Sequence, residues 1–169
     1  MTPEAILKRR ITVLTWLFII GLVLSGATAI PLRQEVDALA GFFGADVSGS
    51  RSAATPLVTW LLNVRDALGS VESQRPFLFY GTDWLAFGHF AIAIAFIGAL
   101  RDPVRNIWLF TFGMIACVLV IPYALMFGAI RGIPAWWRVI DCSFGFFGFI
   151  PLWFCRRWAR ELELEINYG

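Results

Sequence analysis

Asp83 and His89 stand inside an apolar segment, Phe77 to Leu100, that is long enough to cross a bilayer. A carboxylate or an imidazole at that depth costs on the order of a few kcal/mol unless something pairs with it. By the order of the apolar segments, Arg131, Arg138 and Asp141 belong to the same membrane face as Asp83 and are the nearest compensating charges. Arg138 and Asp141 lie three residues apart and so share a helix face. Tyr123, just after Pro122, is placed to reach the same region, and His89 sits about 9 Å deeper than Asp83 at 1.5 Å per residue. As structure, such a cluster pins helices together through arginine forks on carboxylates. As function, it lines an outward-facing pocket for an anionic or zwitterionic group, or opens a proton path.

The imidazole has several uses of its own. It can bridge two helices, carry protons near neutral pH, or serve as a lone axial ligand to a haem or a chlorin. A bis-histidine haem within this chain is excluded, because there is one histidine. No metal-ligand spacing, nucleophile motif or phosphate loop is present, so no cofactor and no catalytic residue is predicted.

The elements that must position these groups follow from composition. Of 169 residues, 59% are hydrophobic and 15% charged, against roughly 45–50% and 25% for soluble domains. The chain therefore reads as a single all-α, polytopic membrane domain whose first partner is the lipid bilayer. The net charge of +2 is small and the basic residues sit at segment ends, which gives no sign of nucleic-acid binding. Four stretches have spanning length: about Ile11 to Ile30, Phe77 to Leu100, Ile107 to Gly128 and Trp136 to Cys155. Inside lipid each must be helical, since every backbone polar group has to be satisfied internally. The fourth carries Gly145, Gly148 and Pro151, so a kinked or locally unwound helix is expected there.

Orientation follows from the basic flanks. Lys8, Arg9, Arg10, Arg101, Arg105, Arg156, Arg157 and Arg160 crowd short segments on one side; Arg33, Arg51, Arg65, Arg75, Arg131 and Arg138 are spread over the other. The denser side is expected to be cytoplasmic, with both termini on it. Lys8-Arg9-Arg10, an apolar run and then Ser25 to Ala29 also has the order of a cleavable secretory signal, but the length of the run favours a retained span. Gly21, Ser25 and Ala29 on the first span, and Ala91, Ala95 and Ala99 on the second, recur every four residues and predict close packing faces.

The region from about Pro31 to Pro76 is expected outside the membrane as a short helical loop. Val36, Leu39, Ala40 and Phe43, then Leu57, Leu61, Val64 and Leu68, have helical spacing, with Thr55 and Pro56 forming an N-terminal cap. Between them Gly44 to Ala54 reads as a loop. Cys117, Cys142 and Cys155 fall at different depths and are expected as small buried packers, not as a disulfide framework. After Cys155, the sequence Arg156-Arg157-Trp158-Ala159-Arg160-Glu161-Leu162-Glu163 reads as an interfacial helix extension with its basic start at the lipid headgroups.

From Phe79 to Cys155 the motifs FYGTDW, RDPVRNIW, FGMIACVLVIP, RGIP and IDCSFG resemble those of a group of small, uncharacterised bacterial membrane proteins with four spans. The resemblance implies a bacterial inner-membrane location and a grouping of Asp83, His89, Arg131, Arg138 and Asp141, but no activity. Three functions fit the residues. The first is a non-catalytic membrane protein that associates with other membrane chains, which suits the external helices and the exposed aromatics. The second is a binder or carrier of a small molecule or ion through the Asp/His/Arg cluster. The third is an enzyme at the membrane surface with His89 or Asp83 as base.

Overall fold

The computed structural model describes residues 2–43 and 55–168. Their elements are all helices: α1 (Pro3–Ala29), α2 (Leu32–Phe42), α3 (Pro56–Gln74), a 3-10 turn (Pro76–Phe79), α4 (Tyr80–Arg101), α5 (Ile107–Ile130) and α6 (Ala135–Tyr168). Four segments are long and apolar enough to span a membrane: Pro3–Ala29, Pro76–Arg101, Ile107–Ile130 and Ala135–Ile166. Their mean hydropathies run from 1.3 for the last to 2.2 for the third. The expected loop from Gly44 to Ala54 lies outside the described residues.

Two compact units divide the chain, Met1–Leu22 with Ile92–Gly169, and Val23–Ala91. In the first, each helix contributes a stripe at helical spacing: Ile11, Thr15 and Ile19 from α1; Ala93, Phe96 and Ala99 from α4; Phe110, Gly113 and Cys117 from α5; and Leu152, Cys155, Ala159 and Leu162 from α6. The spacings of three and four residues are those a helix needs to keep one face against its neighbours. Thr15 is the buried hydroxyl of this core, and its Oγ1 lies 3.8 Å from the Cys155 thiol. The Cys155 thiol also donates to the Ile11 carbonyl.

The pairing of α5 with α6 rests on glycine. A Cβ at Gly145 would overlap the Cys117 carbonyl oxygen, and one at Gly148 would meet the Cys117 Sγ at 2.9 Å. These glycines therefore let two backbones approach closely, as small residues do in lipid. The expected unwinding does not occur: α6 is helical without a break through Pro151. Neighbouring helices are what make a proline tolerable in such a span.

The turn from α4 to α5 is closed by side chains. Asn106 Nδ2 donates to the Gly98 and Asp102 carbonyls at 3.0 and 2.9 Å, and Asp102 Oδ1 accepts from the Arg105 N–H at 2.9 Å. Asp102 thus caps the turn itself. At the other end of α5, Gly132 takes φ 71°, while the Gly132 N–H donates to Ala129 and the Ile133 N–H to Gly128. This is a Schellman close, in which glycine supplies the left-handed residue, and Pro134 follows where the helix cannot continue.

In the unit Val23–Ala91, α2 and α3 pack antiparallel over Val36, Ala40, Val58 and Leu61. Arg33 at the start of α2 pairs with Glu72 near the end of α3, and Asp37 faces Arg65 at 3.8 Å. The Thr55 hydroxyl accepts from the Val58 N–H at 3.3 Å, with Pro56 in the first turn, as the sequence predicts. The close approach of α1 to α4 in this unit falls at Gly26. A Cβ there would meet the Ala86 carbonyl oxygen at 3.0 Å and the His89 Cβ at 3.1 Å. This differs from the expected Gly21, Ser25 and Ala29 face, since Gly21 and Ser25 are exposed. On α4, Ala86, Ala93, Phe96 and Ala99 are buried, whereas Ala91 and Ala95 are exposed.

Candidate functional site

The six singled-out residues fall in both units. Asp83 and His89 belong to Val23–Ala91; Tyr123, Arg131, Arg138 and Asp141 belong to the other.

Asp83 lies exposed in the first turn of α4, where the partial positive charge of a helix N-terminus favours a carboxylate. Around it Tyr80, Trp84 and Phe87 form an edge-to-face series, with ring centres 5.9 and 5.5 Å apart. His89 is half-buried two turns further along. Its Nδ1 is 2.8 Å from the Leu85 carbonyl of the same helix. A carbonyl can only accept, so Nδ1 is the donor in this contact. The α1 backbone at Gly26 passes close to the His89 Cβ and leaves no room there for a side chain. The arrangement is that of a histidine tied through Nδ1 to its own helix.

In the other unit, Arg131 is the exposed C-cap of α5. Tyr123, one turn before Phe127, stacks on it with ring centres 4.4 Å apart. Arg138 is half-buried in the first turn of α6 and crosses to α5. Its Nη1 donates to the Leu125 carbonyl at 3.2 Å, and its stem occupies the space a side chain at Gly128 would need. The Arg138 Nε is enclosed and has no hydrogen-bond partner among the described residues. Such a donor costs about 1–3 kcal/mol.

Asp141 shares the face of Arg138, as their spacing requires, and is half-buried. Within its unit and among the described residues, no cation lies within ion-pair distance of it. Arg138 instead directs its Nη1 to α5. Nearby, the Cys142 thiol donates to the Ile121 carbonyl at 3.8 Å, and Cys117, Cys142 and Cys155 are all free thiols. Among the described residues no three His, Cys, Asp or Glu side chains come together as a metal site would need.

Besides the Cys142–Ile121 contact, sequence reasoning missed two arginine contacts of the α5–α6 pair. One is the seat of Arg138 against Gly128, for which the signal was a glycine near the end of one span and an arginine at the start of the next. The other is Arg156 Nε donating to Thr111 Oγ1 at 2.9 Å. A hydroxyl in the first turns of α5 and an arginine late in α6 lie at the same end of an antiparallel hairpin, and that was the available clue. Comparison of this chain with protein-family models, with curated proteins and with solved structures returns no match.

Proposed function

We propose that this chain is a non-catalytic, multi-pass protein of a bacterial inner membrane that works by associating with other membrane chains, its termini on the cytoplasmic side. The observation that carries the reading is Asp141. It is a half-buried carboxylate on a membrane-spanning helix, with no cation of its own unit within ion-pair distance among the described residues. A charge so placed is expensive until a donor or a cation reaches it, and a polar side chain from a neighbouring chain would supply one. The surface around it suits a protein neighbour: Ile140 and Phe144 flank Asp141 and are exposed. The test is a photoreactive amino acid at position 144, in cells, with and without Asp141→Asn. A defined adduct with another membrane protein, weakened by the substitution and retained as a stoichiometric complex in mild detergent, is expected. A monomer without adducts would overturn the reading.

A second reading rests on Arg138. An enclosed guanidinium nitrogen with no partner among the described residues, across the α5–α6 connection from the exposed Arg131, favours a small anion or zwitterion held near that connection. A monomer that copurifies with such a molecule, lost on Arg138→Gln, would decide for it.

A further inference from the structure

Late in α6, Trp153, Arg156, Arg157, Arg160, Glu161 and Leu164 line a surface groove of about 280 Å³. Their spacing places them on one stripe of the helix, while Leu152, Cys155, Ala159 and Leu162 form the buried stripe. Helix length sets their depth. At 1.5 Å per residue the 34 residues of α6 extend about 51 Å, whereas a hydrocarbon core of about 30 Å takes about 20 residues. Counted from Ala135, the core ends near Phe154, and the three arginines stand at headgroup level.

Two of these arginines are already oriented. Arg156 is held by Thr111 through its Nε, and Arg157 lies over the Trp153 ring at 5.9 Å from its centre while its Nε donates to Glu161 at 3.0 Å. Arg160 is exposed and, among the described residues, forms no ion pair. The surroundings hold both signs, with Glu163 and Glu165 exposed further along α6. Arg10 of α1 lies over Trp158 at 5.5 Å, and Asp102, the acid of the α4–α5 turn, is turned toward the Arg105 N–H. Glu161 is thus the one carboxylate in a groove with three guanidiniums.

We infer that this stripe binds the phosphodiester headgroup of an anionic phospholipid from the leaflet at the Arg156 end. Arg156 and Arg157 present oriented N–H donors, Arg160 supplies an unspent charge, and Trp153 lies against the glycerol level, where tryptophan is favoured. A basic residue at a membrane surface attracts anionic lipid strongly enough that losing one weakens binding about fivefold.

The experiment is retention of lipid by the full-length protein in detergent, read by native mass spectrometry. Phosphatidylglycerol and phosphatidylcholine are offered in equal amounts, and inorganic phosphate is added in a separate arm. Selective retention of phosphatidylglycerol is expected, weakened about fivefold by Arg160→Gln. It is expected to strengthen with Glu161→Gln, which releases Arg157, and to be unchanged by Arg75→Gln in the other unit. Because Arg160 is exposed, its substitution leaves the packed stripe intact. Equal retention of the two lipids, or no response to both groove substitutions, would overturn the site. Displacement by millimolar inorganic phosphate would show a free-anion site and overturn the lipid assignment.

Discussion

Replacing glycines of the spanning helices one at a time with alanine separates backbone contact from mere smallness. At Gly145 the new Cβ overlaps the Cys117 carbonyl oxygen, a main-chain atom held inside α5 that cannot rotate away. At Gly148 the obstacle is the Cys117 Sγ at 2.9 Å, which a change of rotamer can relieve in part. At Gly21 nothing lies within 4 Å. Alanine gains up to about 1 kcal/mol of helix propensity at each position. Overpacking costs about 1–3 kcal/mol where the neighbour cannot yield. The balance predicts that Gly145→Ala loses about 1–2 kcal/mol, that Gly148→Ala loses less, and that Gly21→Ala is neutral or stabilising by up to about 1 kcal/mol.

Reversible unfolding of the detergent-solubilised protein, followed by loss of helical circular dichroism with increasing denaturing detergent, measures all three. A double variant sharpens the test. Cys117→Ala removes the Sγ that obstructs position 148 but leaves the carbonyl that obstructs position 145. It should therefore rescue Gly148→Ala with a coupling of about 0.5–1 kcal/mol and leave Gly145→Ala unrescued. Equal losses at Gly21 and Gly145, or rescue of both by Cys117→Ala, would refute the assignment of these contacts.

Two further outcomes follow from the placement of other residues. His89→Gln should cost about 1 kcal/mol or less in the same unfolding assay, because the imidazole bonds to a carbonyl of its own helix and typical intramembrane side-chain bonds are worth roughly 0.6 kcal/mol; a cellular defect without a stability loss would instead assign a role to Nε2. A cysteine at Gln74, the last residue of α3, should react with a membrane-impermeant maleimide added outside intact cells, the three native thiols being controlled by substitution, and labelling only after lysis would reverse the orientation drawn from the basic flanks.

The spans were legible because length and apolarity decide whether a segment can satisfy its backbone in lipid, and both are properties of one segment. The third span shows it, predicted over Ile107 to Gly128 and observed as Ile107–Ile130. Local capping was legible for the same reason, as Thr55 and Pro56 needed no partner from elsewhere in the chain. Relations between helices were not. A four-residue repeat of small side chains says that some face of α1 can approach a neighbour, but the repeat at Gly21, Ser25 and Ala29 and the lone Gly26 differ only in where α4 lies.

The polar residues carry the same lesson further. The three-residue spacing of Arg138 and Asp141 fixed their common face, yet a guanidinium on a long stem answers to whatever acceptor is within reach, and Gly128 opens a channel for that stem toward the Leu125 carbonyl. With Arg138 Nη1 bonded to α5, Asp141 is left, among the described residues of its unit, without a cation at ion-pair distance, and what reads in the sequence as an internal ion pair becomes a carboxylate that needs a partner. The pairing of α5 with α6 is thus the step that turns a structural-looking motif into a candidate contact surface, and it depends on a glycine near the end of one helix and an arginine at the start of the next.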